Sequence, residues 1–419
     1  MSSVEPITGE VVIDDYAAIK KALMSPDLSR SFDKRTYVDG NVRHGVVSIM
    51  HGTEHRERRR LENTQFRSAE LRLYESDLFP PIVATMVHEA ASAGEVDLFS
   101  LGERLSVVLA ARRAGFDLDA DDHDSLEKMI TFVDQFSQAS AILDAKDPDA
   151  VRADVRQAHV DFHREFGEPS IERRLKALEA FDRGEIPESE IPHDILTNLL
   201  RHRDDERLQL SDETVLIREA GTYLQGGTHT SAQTLVNAFD LLFDASVADP
   251  SIWDRVENDT AFVQRVMHET LRLCPTTPEM KRRAERSATV AGVSIPEGSR
   301  VVLNLVKANR DPDIFGSDAE LFNPDREVSG KNPLWGLTFG AGPHICPGFK
   351  VAGGLQQQDD ELPETHLFGL VAQMIQAVAR YEPDRHLTKP RSRDERTARF
   401  TRWSEYWIAF ANRNPPIDR

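Results

Sequence analysis

The chain has 419 residues, 40% hydrophobic and 29% charged, with 51 Lys and Arg against 70 Asp and Glu for a net charge of −19. That field repels nucleic acid and anionic lipid, no apolar run approaches the roughly 18 residues of a spanning helix, and two cysteines cannot make a disulfide framework. The composition predicts an acidic, cytoplasmic protein that binds neither nucleic acid nor membrane, and the polar residues 1–10 read as neither signal nor transit peptide.

In chain order, the first 280 residues are predicted mainly helical, with apolar residues at three- and four-residue spacing. Ile82-Val83-Ala84-Thr85-Met86-Val87 and Ile195-Leu196-Thr197-Asn198-Leu199-Leu200 are two such runs. The charged stretches 144–154 and 182–192 read as loops between helices. Ser211-Asp212-Glu213 offers an N-cap and first-turn acids. Helical patterning then runs to about residue 244, roughly 50 Å of helix. Its middle, Gly226-Gly227-Thr228-His229-Thr230-Ser231, breaks the local rules, since each glycine costs about 1 kcal/mol relative to Ala. Such a segment marks either a close helix crossing or a deformation beside a ligand. Residues 290–305 read as strand around Ala291-Gly292 and Pro296-Glu297-Gly298, and 398–410 as an aromatic-rich strand. No composition shift marks a boundary, so residues 1–419 are expected to form one mainly α domain with a minor β portion.

The most informative segment is Phe339-Gly340-Ala341-Gly342-Pro343-His344-Ile345-Cys346-Pro347-Gly348. Three glycines and two prolines in ten residues impose a tight, nonrepetitive backbone that can aim amide groups at one point. A thiolate there needs a metal or positive surroundings. A single cysteine without CxxC partners disfavours zinc and iron–sulfur sites, whereas heme iron needs only one protein ligand. A buried structural cysteine and a catalytic nucleophile are the other readings of the segment alone.

These ten residues match the heme-binding signature of the cytochrome P-450 superfamily, which the chain therefore resembles: Phe, Gly, any, Gly, any, His or Arg, any, Cys, any, Gly. By that resemblance Cys346 is the axial thiolate of heme b, Phe339 packs near its sulfur, Gly340, Gly342 and Gly348 let the backbone approach the heme, and His344 faces a propionate. His55-Arg56-Glu57-Arg58-Arg59 resembles the family's His-x-x-x-Arg, and Arg282-Arg283-Ala284 its Arg-x-Ala, so His55, Arg59 and Arg282 are implied propionate partners. His268-Glu269-Thr270-Leu271-Arg272 supplies Glu-x-x-Arg on one helix face. With Arg326 of Phe322-Asn323-Pro324-Asp325-Arg326 this pair is implied to form a buried structural triad, Glu269, Arg272 and Arg326. Leu224 to Thr230 aligns with the oxygen-activating segment, with Thr230 and His229 as the implied proton-delivery pair and His229 where the family usually has Asp or Glu.

The resemblance implies the cytochrome P-450 fold, with heme between the long central helix and the cysteine loop. It implies a monooxygenase that activates O2 with external electrons, from ferredoxin and ferredoxin reductase, to oxidise a small apolar or amphipathic substrate. A basic cluster at Arg56, Arg58, Arg59, Arg60 and Lys350 would attract an acidic ferredoxin. The rival readings are a peroxide-driven peroxygenase, a noncatalytic heme sensor or carrier, and a cysteine hydrolase. Substrate walls are expected from residues 35–43, 133–178, 223–227 and 276–280, and near Phe400 and Trp403. Two departures are expected: truncation of the leading helix and strands, and interruption of the helix after Cys346 by Ala352-Gly353-Gly354 and the polar 356–364, with helix resuming over 366–379.

Overall fold

The computed structural model describes residues 9–30, 45–140, 142, 145–328, 330–356, 366–394 and 402–411. Helices dominate it, as the sequence spacing predicts. We label α1 (Tyr16–Met24), α2 (Gly52–Glu62), α3 (Phe79–Ala93), α4 (Leu98–Ala114), α5 (His123–Ser140), α6 (Pro148–Phe162), α7 (Glu168–Asp182), α8 (Ile195–Arg201), α9 (Glu213–Ala248), α10 (Thr260–Leu273), α11 (Phe349–Gly353) and α12 (Leu370–Ala379). One sheet has the order β1-β7-β4-β2, from Glu10–Ile13, Arg300–Asn304, Glu279–Ala284 and Leu28–Ser29. Its β1–β7 pair is parallel, with Glu10 opposite Arg300, and the other pairs are antiparallel. A second, antiparallel sheet runs β3-β10-β8, from Glu95–Asp97, Trp403–Phe410 and Pro383–Arg385.

The centre of the fold is the crossing of α4 and α9. Asp97 caps α4 through the Phe99 N–H, and Asp212, rather than Ser211, caps α9 through the Thr214 N–H at 2.8 Å. Between the two helices small residues replace large ones. A Cβ on Gly227 would lie 3.1 Å from the Ala110 Cβ, tighter than ordinary contact, so this glycine marks a close crossing. Gly226 meets nothing within 4 Å. The close-crossing reading therefore holds at Gly227 and not at Gly226. Helix α9 stays α-helical from Glu213 to Ala248, so the expected local deformation is absent.

A strand, a helix and a strand precede α2, namely β1, α1 and β2. Two expectations change. The charged stretch 144–154 contains the start of α6, because Asp147 accepts from the Asp149 and Ala150 N–H groups and caps that helix. The last helix begins at Leu370, not at 366. Residues 35–43 and Phe400 lie outside the described residues. Among the described residues no helix is long and apolar enough to cross a membrane.

Candidate active site

The loop around Cys346 is held from within. The Cys346 N–H donates to the Phe339 carbonyl at 2.8 Å, and Gly340 and Gly342 sit at φ +73° and +70°. Phe339 stands edge-on to Trp335, with ring centroids 5.6 Å apart, and packs beside Phe349. Gly348 has an ordinary φ of −77°, and a Cβ there would meet only Cys346 Sγ at 3.8 Å, so the protein alone does not demand glycine at that position. The N–H groups of Gly348 and Phe349 point at the sulfur, and Pro347 has no N–H to add. Burial nonetheless pushes the Cys346 thiol up, so two amides do not make it a thiolate unaided.

The sulfur borders a cavity of about 570 Å³, within the size range of cofactor sites. Its floor carries His55 and Arg59 from α2, Arg282 from β4 and His344 from the cysteine loop. The rings of His55 and His344 are 4.0 Å apart, and Arg59 donates to the Ile345 carbonyl. Burial, then the neighbouring cations, push His55 down to about 4 and His344 to about 2. A thiol that needs a cation thus faces the same cavity as two arginines and two histidines that suit carboxylates. Heme, with one iron and two carboxylates, answers both demands, and the residues fit it.

Comparison with known proteins decides the family. The sequence profile of cytochrome P450 matches residues 7–353. The chain belongs to the cytochrome P450 family. This P450 is 28% identical over 186 residues to methyltetrahydroprotoberberine 14-monooxygenase of Papaver somniferum, covering 39% of this chain and 35% of that protein. It thus spans about a third of the length of the curated relatives it matches. Its fold is similar to the crystal structure of CalO2 (TM-score 0.74, 17% identity, 96% and 91% of the two chains). It is also similar to the heme domain of a P450 from Tepidiphilus thermophilus (TM-score 0.73, 18% identity, 97% and 89%).

The P450 brings Glu269, Arg272 and Arg326 together. Arg272 Nε and Nη2 each lie 2.7 Å from a Glu269 oxygen, and Arg326 Nε is 3.2 Å from Glu269 Oε1. All three side chains are buried, and Arg272 also donates to the Asn309 and Ala319 carbonyls behind the cysteine loop. Arg58 is a correction to the expected basic surface: it is 1% exposed and paired with Glu219 at 2.7 Å. Arg56 and Arg60 are exposed.

On the flank of α9, Thr230 faces the cavity, and its hydroxyl donates to the Gly226 carbonyl at 2.7 Å. His229 also borders the cavity, though it is 93% buried and turns toward α4. There its ring stacks near Phe99, and Nδ1 lies 3.0 Å from Glu103 Oε1. No hydrogen bond joins them, so this is a close approach of imidazole and carboxylate without one. Sequence reasoning missed Glu103, because nothing local marks a carboxylate whose partner sits on another helix. The expected walls are present at Ser137 and Gln138 on α5, at 223–227, and at 276–280, with Arg402 in place of Trp403.

Behind the cysteine the helix is split, as expected, into α11 and α12. Gly354 and Gly369 have φ of +69° and +90°, and a Cβ on Gly369 would sit 2.5 Å from the Ala352 carbonyl oxygen. The chain therefore leaves and re-enters at nearly one point. Gln264 on α10 donates to the Gly353, Leu367 and Phe368 carbonyls, and Glu75 accepts the Phe368 and Gly369 N–H groups. These bonds serve the groups a helix end leaves unpaired. His268 completes the clamp with Nε2 2.7 Å from the Gly353 oxygen, which assigns its proton to Nε2. Burial pushes His268 down to about 4. Between that value and the unfolded 6.5 the unfolded chain binds the extra proton, so His268 weakens the fold as pH falls through this window. Urea unfolding is expected to show a loss from this residue on the order of 3 kcal/mol by pH 4. His268→Gln should flatten that part of the slope, and an unchanged slope would refute the assignment.

Proposed function

We propose that the protein is a heme-thiolate monooxygenase acting in the cytoplasm on a small apolar or amphipathic organic substrate, with electrons from a ferredoxin and its reductase. The observation that carries this reading is that Cys346 lines the same cavity as His55, Arg59, Arg282 and His344. Cys346 would bind the iron, and the four cationic or ionisable groups would bind the propionates. Bound heme supplies the binding and reductive activation of O2.

This chain's residues do the rest. Thr230 presents its hydroxyl to the cavity while the Gly226 carbonyl fixes its orientation. His229, backed by Glu103, can take a proton on one ring nitrogen and release one from the other. Glu103 is 13% exposed and provides contact with solvent. Leu109 and Ala110 on α4 and Ile195 on α8 give the cavity apolar lining that excludes water from the reacting centre. The exposed Arg56 and Arg60 give an acidic ferredoxin a complementary surface.

Turnover with ferredoxin, its reductase and NAD(P)H, set beside turnover with peroxide, tests the reading. Product should form with the electron-transfer proteins and exceed that with peroxide. Thr230→Ala is expected to lower product per oxygen consumed by an order of magnitude. His229→Ala should slow oxygen use, and His229→Asp should restore part of it. Parental turnover and coupling in His229→Ala would remove His229 from the mechanism and leave Thr230 alone.

A further inference from the structure

A second cluster of titratable groups lies between α2 and α9, and one member, Tyr223, lines the cavity. Glu62, the last residue of α2, and Glu219 on α9 are both completely buried, and the cation between them is Arg58. The donors are shared unequally. Glu219 accepts from Arg58 Nη1 and, on both oxygens, from the Val47 N–H at 3.1 and 2.9 Å. Arg58 spends its remaining nitrogens on the Leu208 and Gln209 carbonyls. Glu62 is left with one hydrogen bond, donated by the Tyr223 hydroxyl to Oε2, while Oε1 has no partner.

Charge counting follows from that inventory. Two buried carboxylates facing one arginine cannot both ionise without leaving an uncompensated anion in low dielectric. Arg59, the next cation on α2, acts on both carboxylates through its charge but makes its hydrogen bond to the Ile345 carbonyl, and Arg113 on α4 lies over the Phe66 and Tyr74 rings, so neither arginine gives Glu62 a hydrogen bond. The pair therefore retains one proton, and the donors decide its place. Glu219, with its N–H donors and arginine, holds the charge. The proton belongs to Glu62. Burial and the charge of Glu219 raise Glu62 well above the usual carboxylate range, while the Arg58 charge and the Val47 N–H oppose the rise that burial imposes on Glu219.

Tyr223 gives this buried acid a way out. It borders the cavity and sits three residues before Gly226, whose carbonyl orients Thr230. We propose that Glu62 is a neutral carboxylic acid in the working protein and that, through Tyr223, it is a second proton source for the cavity, separate from His229. With Glu62 protonated the contact runs the other way from the carboxylate form: Oε2–H donates to the Tyr223 oxygen, and the phenol O–H turns to the cavity. In the step, the Glu62 Oε2–H bond breaks as a new Tyr223 O–H bond forms, and the phenol's own proton passes to a basic oxygen held in the cavity. No electrons are exchanged. Glu62 is left as a carboxylate and recovers its proton from cavity water by the reverse path. Tyr223 is the group that meets the acceptor; Glu62 acts through it. The acceptor rests on the oxygen chemistry proposed above, whereas the neutral acid and its path to the cavity do not.

Infrared spectroscopy of the heme-loaded protein at neutral pH tests this directly. The parent should show the C=O stretching band of a buried carboxylic acid. Glu62→Gln, whose amide matches the neutral acid in shape, should fold and lose the band, and Glu219→Gln should keep a carboxylic or carboxylate signal from Glu62. On transfer to D2O the band should shift as the acid exchanges, and Tyr223→Phe should slow that exchange by an order of magnitude. As pH rises from about 5 to about 8, the unfolding midpoint of the parent should fall relative to Glu62→Gln, because the native parent holds a proton the unfolded chain releases. Product per oxygen consumed should drop several-fold in Glu62→Gln with substrate binding unchanged. A band that survives Glu62→Gln overturns the neutral acid. Exchange that is equally fast in Tyr223→Phe overturns the path, and parental product yield in Glu62→Gln overturns the supply. A parent that makes no product while exchange still depends on Tyr223 overturns the monooxygenase reading alone.

Discussion

Cys346→Ala is expected to abolish the absorption band of the reduced carbon monoxide complex for which the P450 family is named, while Cys274→Ala retains it. The two cysteines share burial, and burial raises both thiols. They differ in what they face. Cys346 lines the cavity and receives two backbone N–H groups, whereas Cys274 ends α10 and is not among the residues that line it. A thiolate bound to iron pushes electron density onto the metal, and no other cavity side chain can do so as strongly. Retention of the band in both variants would refute the ligand assignment.

The largest stability loss is expected in the Glu269 cluster. Removing Arg272 leaves Glu269 buried with its charge poorly matched, and removing Glu269 strands two arginines. Either Arg272→Ala or Glu269→Ala should cost roughly 3–5 kcal/mol in denaturant unfolding. Lys176→Ala is the control: its pair with Glu172 is 72% and 67% exposed, and exposed pairs contribute about 1 kcal/mol or less. Equal effects at the two places would show that the buried cluster is an ordinary surface pair misplaced by the fold.

What could be read from the sequence was what a short stretch must do by itself. The cysteine loop is legible because glycine and proline fix its backbone within ten residues. Glu269 and Arg272 are legible because three-residue spacing puts them on one helix face. The failures share a cause as well. Arg58 looks like one of five surface cations until Glu219, far along the chain on α9, claims it. Glu103, Glu62 and Tyr223 are ordinary helix residues until the crossing of α4, α9 and α2 gives them partners. The acids of 144–154 look like a loop because a capping aspartate and a loop aspartate are the same residue in different company.

The split behind Cys346 has a consequence for how this scaffold can vary. The Leu355 N–H donates to the Leu367 carbonyl at 2.7 Å, so the two ends of the excursion are stitched where α11 hands over to α12. Length between such stitched ends is cheap: each doubling of a flexible closed loop costs only about 0.6 kcal/mol in entropy. The junction can therefore accept chain of many lengths while the cap-forming side chains on neighbouring helices keep α11 and α12 in place. A permissive seam of this kind lets a family add or remove surface without retuning its metal centre. The family match ends at residue 353, at the start of this seam.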